Sequence, residues 1–447
     1  MEKLKQDFIQ KMQTLLQEDF EDYIQEMTAE PVRGVRVNTL YSSLETFETD
    51  IDFSVHKSGI CSEGYILQEN HLRIGHHPYH HAGMFYVQEP SAMAPVEALD
   101  PRPGERVLDL CAAPGGKSGQ IAARMKNSGV LVANEVVKSR AMILLSNLER
   151  LGVANACVTN VETARLCSRF PFWFDKILVD APCSGEGMFR KNPFAIEQWS
   201  TDIVRFCAQR QLSILEDAAN ALAPGGTLVY STCTFSMEEN EEVIARFLSL
   251  HPEFSLQPVS FSLGRSGFER GPESFGGKRM WRFFPSRFTE GQFVARLVKA
   301  GQSRLPVSAF CEKGDYDLFL KFFEQTFEGK APGNLLQRGE NLFILPESMP
   351  EITDLSPLRC GVFAGKMKNN RFVPSHHLFK CFKNVKSSQL VKLTLKDPQT
   401  IQFLRGMEID CGGKRGYCAV HLDDIPLGFG KASNKLKNHY PKGLREI

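Results

Sequence analysis

The chain has 447 residues, 42% hydrophobic and 23% charged, with a formal net charge of +1. That length exceeds one compact core and predicts two to four units, and the composition excludes a fibrous or disordered chain. No apolar run approaches the ~18 residues of a membrane helix. The polar start MEKLKQDFIQKMQ lacks the apolar core of a signal peptide, so a cytoplasmic location is expected.

Residues 1–95 open with a helical stretch, followed by RGVRVNTL and short strand-like runs. Within them His76, His77, His80 and His81 form HHPYHH. Pro78 interrupts any helix that would align the imidazoles, and no carboxylate lies close in sequence, so a loop is expected there and no metal site. Pro101, Pro103 and Gly104 then mark a turn.

From Val107 the texture changes. Apolar strands read VLDLCA (107–112), VLVANEV (130–136), NACVTN (155–160), DKILVDA (175–181), TLVYST (227–232) and FVARLVK (293–299). Between the first three lie the amphipathic helices KSGQIAARMK and KSRAMILLSNLERLG, the second closing on Gly152 as its C-cap. Regular β-α-β-α order with continuous apolar strands predicts an α/β, doubly wound, Rossmann-like core over 96–300. Residues 251–280, rich in Gly, Ser and Pro, predict an insertion or long loop. Beyond Lys299 the alternation is lost. Residues 301–370 look mixed and 371–447 mainly β, with turns such as CGGKRG and PLGFGK.

Charge is unevenly spread. Residues 1–30 carry eight acids against three lysines, whereas 359–386 hold seven Lys/Arg and no acid. The tail from Lys431 adds five basic residues against one acid. A near-neutral chain with basic C-terminal faces suits contact with nucleic acid through part of its surface. The twelve cysteines include no C-x-x-C pair, so no structural zinc is expected and most should be small buried thiols.

In open α/β sheets, ligands bind at the carboxyl ends of the strands where strand order reverses. The first strand runs into Cys111-Ala112-Ala113-Pro114-Gly115-Gly116-Lys117, whose small residues and glycines let backbone approach a ligand. Glu135 ends the second strand nineteen residues after Gly116, a spacing that reaches ribose hydroxyls. Glu162 follows the third strand, near an adenine amine, and Asp180 ends the fourth. A phosphate loop fits poorly: Cys111 stands where its first glycine belongs, and Pro114 removes an amide. The expected ligand is a nucleoside cofactor.

Two cysteines stand out, each just after a strand end on that edge: Cys183 in DAPCSGEG and Cys233 in STCT. Ser236 and Glu239 predict a capping box for a following helix, whose positive end would favour a Cys233 thiolate. A thiolate beside a nucleoside cofactor suits methylation of C5 of cytosine, a carbon too poor in electrons to attack a methyl sulfonium unaided. Thiolate addition at C6 makes C5 an enamine carbon that attacks, with Asp180 placed to absorb charge at N3 and the amine. Loss of the C5 proton and expulsion of the sulfur then require a second acid/base group, and the base must leave its stack. Which cysteine attacks stays open at this point.

CAAPGGK, DAPCSGEG and STCT together resemble the signature loops of the Sun/Nop family of RNA 5-methylcytosine methyltransferases. RVNTL (36–40), HAGMFYVQEPSA (81–92) and EGQFVA (290–295) extend the match. NRFVPSHHLF (370–379) and PLGFGK…LKNHYPKGLR (426–445) are similar to the RsmF-like branch, which modifies small-subunit (16S) ribosomal RNA. The resemblance covers nearly the whole chain. It implies that Cys111, Ala112, Ala113, Pro114, Gly115, Gly116 and Lys117, with Glu135, Glu162 and Asp180, hold S-adenosylmethionine. It further implies that Cys233 is the nucleophile and that Cys183 assists product release. The family usually carries Asp where Glu162 stands, and a histidine where Ser286 follows Pro285. Four modules are expected: an N-terminal RNA-contact module (1–95), the methyltransferase core (96–300), a linker module (301–370) and a PUA-like RNA-binding module (371–447). A monomer acting on rRNA or the small ribosomal subunit is expected, without membrane or metal. The rival reading is a catalytically idle RNA-binding ribosome-assembly factor.

Overall fold

The computed structural model describes residues 4–69, 71–269, 276–302 and 314–445. Its centre is a ten-stranded sheet whose five parallel strands are those with the continuous apolar runs: Arg106–Asp109, Val130–Asn134, Ala156–Thr159, Phe174–Asp180 and Leu222–Thr232. Buried on both faces, these strands alternate Val, Ile and Leu without a polar side, and their two faces carry separate hydrophobic cores. Arg106–Asp109 lies mid-sheet, flanked by Val130–Asn134 on one side and Phe174–Asp180 on the other. Strand order therefore reverses at Asp109 and Asp180, and a crevice opens there.

The helix Lys138–Arg150 ends as read from the sequence. Gly152 takes φ 70° and its amide donates to Glu149 O, while Val153 N donates to Leu148 O. A side chain at Gly152 would collide with the Tyr41 hydroxyl at 2.0 Å, so the cap is also a seam with the N-terminal module.

Other features differ from the sequence reading. The polar 251–280 stretch is partly built into the sheet edge: Phe254–Gln257 pairs with Gln292–Lys299, and Arg265–Ser266 with Trp281–Phe283. Edge pairing needs only backbone groups, so side-chain periodicity does not report it. The predicted capping box does not form. The helix starts later, at Glu241, and Ser236 and Glu239 turn their side chains to partners near the two cysteines. At the far edge of the sheet Arg359–Cys360 pairs with Ala156–Thr159, so two residues of the C-terminal half extend the central sheet.

The N-terminal module has helices Gln6–Leu16 and Phe20–Thr28 and a four-stranded antiparallel sheet. Its Val35, Phe47, Tyr65 and Phe85 share one hydrophobic core with Phe403, Val420, Leu427 and Tyr440 from the other end of the chain. Tyr79 Oη donates to Asp423 across that seam at 2.7 Å. A hairpin of Val362–Lys368 and Arg371–Pro374 runs through position 370, followed by a sheet of Leu390–Leu393, Gly416–Leu422, Ile425–Ala432 and Leu436–Asn438. Among the described residues no helix is long and apolar enough to cross a membrane.

Candidate active site

Two cavities meet at the reversal of strand order. The first, about 510 Å³, is bordered by Cys111, Glu135, Glu162, Pro182 and Cys183 with Arg210 from the helix Thr201–Ala221. The second, about 430 Å³, lies on the other side of the 111–117 turn, against Tyr86, Gln88, Lys117, Lys191, Glu290 and Gln292. Asp180 and Cys233 border both. A ligand in one cavity therefore faces a ligand in the other across these two side chains.

The turn is held by its carbonyls. Arg36 donates to Gly116 O at 2.6 Å, Arg140 to Ala113 O at 3.1 Å and Asn147 to Pro114 O at 2.9 Å. Gly115 adopts φ 108°, a conformation open to glycine but not to ordinary side chains. A Cβ on Gly116 would stand 3.0 Å from the Tyr86 ring. Arg36 is fully buried and its guanidinium is lowered to about 10 by burial; it also donates to Gln88 Oε1. RVNTL thus acts as a clamp from the N-terminal module onto the turn, a role no periodicity or spacing signals.

Acids ring the first cavity. Glu135, 4% exposed, accepts from Val137 N at 2.9 Å and faces Arg140 at 3.3 Å. Glu162 lies at its rim, leading into the helix Thr163–Arg169 without capping it. Asp109, the last residue of Arg106–Asp109, is a further acid here that no motif in the sequence singles out. It is fully buried, accepts from Ser118 Oγ at 2.6 Å through one oxygen, and its other oxygen, Oδ1, has no hydrogen-bond partner. Burial pushes this carboxyl up to about 7, against the Ser118 bond that lowers it. The signal was available, since Asp109 ends a central strand beside the turn.

Asp180 accepts from Lys117 Nζ at 2.7 Å and from Ser231 Oγ at 2.7 Å, with Gln292 Nε2 at 3.4 Å. Burial works to lower the Lys117 amine, but the charge of Asp180 and its hydrogen bond outweigh it, with Cys233 and Asp109 adding to the rise. Lys117 therefore stays an ammonium and faces the Cys233 sulfur. This positive charge stands where the sequence reading placed a helix end.

The two sulfurs, Cys183 Sγ and Cys233 Sγ, lie 3.2 Å apart. The Cys183 thiol is raised well above its ordinary value, chiefly by its hydrogen bond to Cys233, then by burial and by the charges of Cys233 and Glu239. Their loops are locked backbone to backbone. Gly187 N donates to Cys233 O at 2.8 Å, and a Cβ on Gly187 or Gly291 would lie 2.6–2.9 Å from the facing backbone. Glycine is required at both positions by contact. At the end of the Cys183 loop the Arg190 side chain is only 1% exposed and faces Glu290 at 3.5 Å, so it is an internal group and no outward phosphate contact. Asn192 caps the short helix Pro193–Gln198, and Lys191 borders the second cavity.

The four histidines disperse. His77 caps Pro78–Ala82 by accepting from Tyr79 N, and it meets Asp52 at 2.9 Å; His80 is half-buried and lowered to about 2 by desolvation and Arg150; His81 faces Tyr440. Pro78 begins this helix, where a missing amide costs nothing. Cys61, Glu63 and Glu97 converge, but Arg124 already pairs with both carboxylates, at 2.8 and 2.6 Å.

Four family descriptions match the chain in succession. "N-terminal domain of 16S rRNA methyltransferase RsmF" covers 4–90 and "16S rRNA methyltransferase RsmB/F" covers 96–298. "RsmF rRNA methyltransferase first C-terminal domain" covers 321–381, and "Methyltransferase RsmF PUA domain" covers 391–446. The ribosomal RNA small subunit methyltransferase F of Vibrio campbellii is 31% identical over 98% of this chain and 96% of its own length. That of Klebsiella pneumoniae is 33% identical over 95% of this chain and 92% of its own. Among solved structures, a methyltransferase homolog from Pyrococcus horikoshii is similar with a TM-score of 0.59 and 34% identity, covering 64% of this chain and 93% of that one.

Proposed function

We propose, because this chain belongs to the RsmF branch of the 16S rRNA methyltransferase RsmB/F family, that it methylates C5 of a cytosine in small-subunit rRNA through a transient bond from the Cys233 sulfur to C6. At the coarser level the chain is an S-adenosylmethionine-dependent RNA methyltransferase. The residues present fit that cofactor: the acids of the first cavity suit ribose hydroxyls and an amine, while Asp109, whose Oδ1 has no hydrogen-bond partner, is a buried acid under the turn that borders the second cavity. Bound there, the cofactor supplies an electrophilic methyl on a sulfonium.

The observation that carries the reading is the placement of Cys233 where the two cavities meet, beside the Lys117 ammonium and 3.2 Å from a second sulfur. The Cys233 thiolate adds to C6 of a cytosine held in the second cavity, while Asp180 serves N3 and the exocyclic amine. C5, now an enamine carbon, takes the methyl. A solvent base takes the C5 proton, the C–H electron pair re-forms the C5=C6 double bond, and the C6–S bond breaks to return its pair to Cys233, with Cys183 assisting release.

We further propose four modules, with the last seam between 381 and 391 because a hairpin runs through 370. RNA contact falls to the N-terminal and C-terminal modules. The protein acts in the cytoplasm, where ribosomes are made, and as a monomer, since one chain supplies both cavities.

Incubating Cys183→Ala protein with S-adenosylmethionine and 16S rRNA should accumulate a protein–RNA adduct that survives denaturing electrophoresis. Full activity in Cys233→Ala would overturn the reading.

A further inference from the structure

Behind the two cysteines lies a pair of buried carboxylates that the chemistry above does not use. Glu239 is fully buried. Its Oε2 accepts from Ser184 N at 2.9 Å and from Gln211 Nε2 at 2.9 Å; its Oε1 accepts from Ser184 Oγ and, at 3.2 Å, from Thr234 Oγ1. Ser184 follows Cys183, and Thr234 follows Cys233. One carboxylate thus grips the residue after each sulfur. Glu186, also buried, holds the outer side of the Cys233 loop through Thr234 Oγ1 and Phe235 N, both at 2.8 Å, and Ser236 Oγ at 2.6 Å.

Burying a carboxylate among hydroxyls and amides is costly unless its acceptor sites are used; three of the four oxygens have two donors, and Glu239 Oε1 has the Ser184 hydroxyl and shares the one Thr234 hydroxyl proton with Glu186. A purely structural link between two loops needs no charge. Burial raises the Glu239 carboxyl to about 7, against the Ser184 hydrogen bonds that lower it, and Glu239 adds to the rise of the Cys183 thiol after the Cys233 hydrogen bond, burial and the charge of Cys233.

We propose that Glu239 is a positioning residue for product release: through Ser184 and Thr234 it fixes the Cys183 sulfur against Cys233. The proposal rests on the covalent reading of Cys233. When the C6–S bond breaks, its electron pair returns to Cys233, and the neighbouring thiol stabilises the departing thiolate by donating a hydrogen bond to it. No oxidant and no further reactant enter this step.

The experiment compares Glu239→Gln with Cys183→Ala, using full-length protein, S-adenosylmethionine and 16S rRNA. Glutamine keeps the volume but removes the charge and opposes its amide to the Ser184 and Thr234 donors. The expected result is trapped protein–RNA adduct at the level of Cys183→Ala, kcat lower by about 10²-fold and RNA KM within two-fold of the parent. The double variant should release no more slowly than either single one. If Glu239→Gln folds poorly, Ser184→Ala and Thr234→Val remove one donor each and should trap adduct in smaller amount. Trapping by Cys183→Ala but by none of these variants overturns the role of Glu239 alone. Trapping by no variant, with Cys233→Ala still active, overturns the covalent reading beneath it.

Discussion

Charge is buried in two regions of this protein, to different ends. At the strand ends, Lys117, Asp109, Asp180 and Glu135 border cavities and leave an oxygen without a partner. At the seam between modules, Lys380 is fully buried, donates to Ala82 O at 2.5 Å and to Pro426 O, and lies over the Tyr41 ring. Beside it Arg150 donates to His80 O at 2.6 Å, and Glu149 pairs with Arg359 at 2.5 Å. Both regions shift their titratable groups strongly. Among the described residues the first opens onto space that a substrate can fill, so perturbed protonation marks a functional site when a cavity accompanies it and marks a joint when backbone carbonyls absorb the charge.

The sharpest way to break this comparison is to exchange expectations between the regions. Cys233→Ala should lower turnover by about four orders of magnitude or more while leaving the melting temperature unchanged. Loss of folded protein instead would make the cleft a structural element. Next in size, Gly291→Ala should reduce kcat by about 10²-fold, because its Cβ would stand 2.6 Å from Gly187 Cα and displace the cysteine loops. Unaltered kcat would show that those loops yield without cost.

At the seam, Lys380→Met should cost about 2–3 kcal/mol of stability by orphaning two carbonyls, with turnover per folded molecule preserved. Chemical denaturation followed by an activity assay at matched folded concentration checks both halves. The seam also predicts acid sensitivity. Burial lowers His80 to about 2, His376 to about 3, and His377 and His421 to about 4. The unfolded chain takes up protons near pH 6.5 whereas the folded chain does not until pH 4 or below, so stability is full above about 6.5 and falls as pH drops toward 4. Burial would raise Glu149, but His377 and Arg359 hold it down to about 2; with His377 uncharged above about pH 4, the Arg359 pair is what carries its stability there, and that stability is lost as pH falls from about 4.5 toward 2. Melting between pH 7 and 5 should therefore decline in the parent and flatten in His376→Gln/His377→Asn. The smallest effect is on the surface. Arg371→Ala should weaken rRNA binding a few-fold and reduce its salt dependence by about one phosphate contact, without altering kcat.

The basic stretch 359–386 illustrates how far the sequence alone reaches. Its seven cations and lack of acids read as one nucleic-acid face, yet Lys380 is buried, Arg359 pairs with Glu149, and Lys368 with Glu340. Lys366, Arg371, Lys383 and Lys386 remain on the surface. Composition counts charges but does not know which way a helix turns them. Likewise Ser236 and Glu239 had the spacing of a helix cap, and tertiary contacts claimed both side chains.

What the sequence determined by itself was whatever depends on neighbours in the chain. The five apolar parallel strands, the Gly152 cap and the candidate residues 111–117, 135, 162, 180, 183 and 233 were legible because strand periodicity, turn chemistry and strand-end position are local. Only the tertiary structure decided that two cavities meet at Cys233, that Arg36 reaches across 80 residues to hold Gly116 O, and that Glu239 links the two cysteine loops. Those facts depend on distances between segments far apart in the chain, which packing sets and no local pattern records.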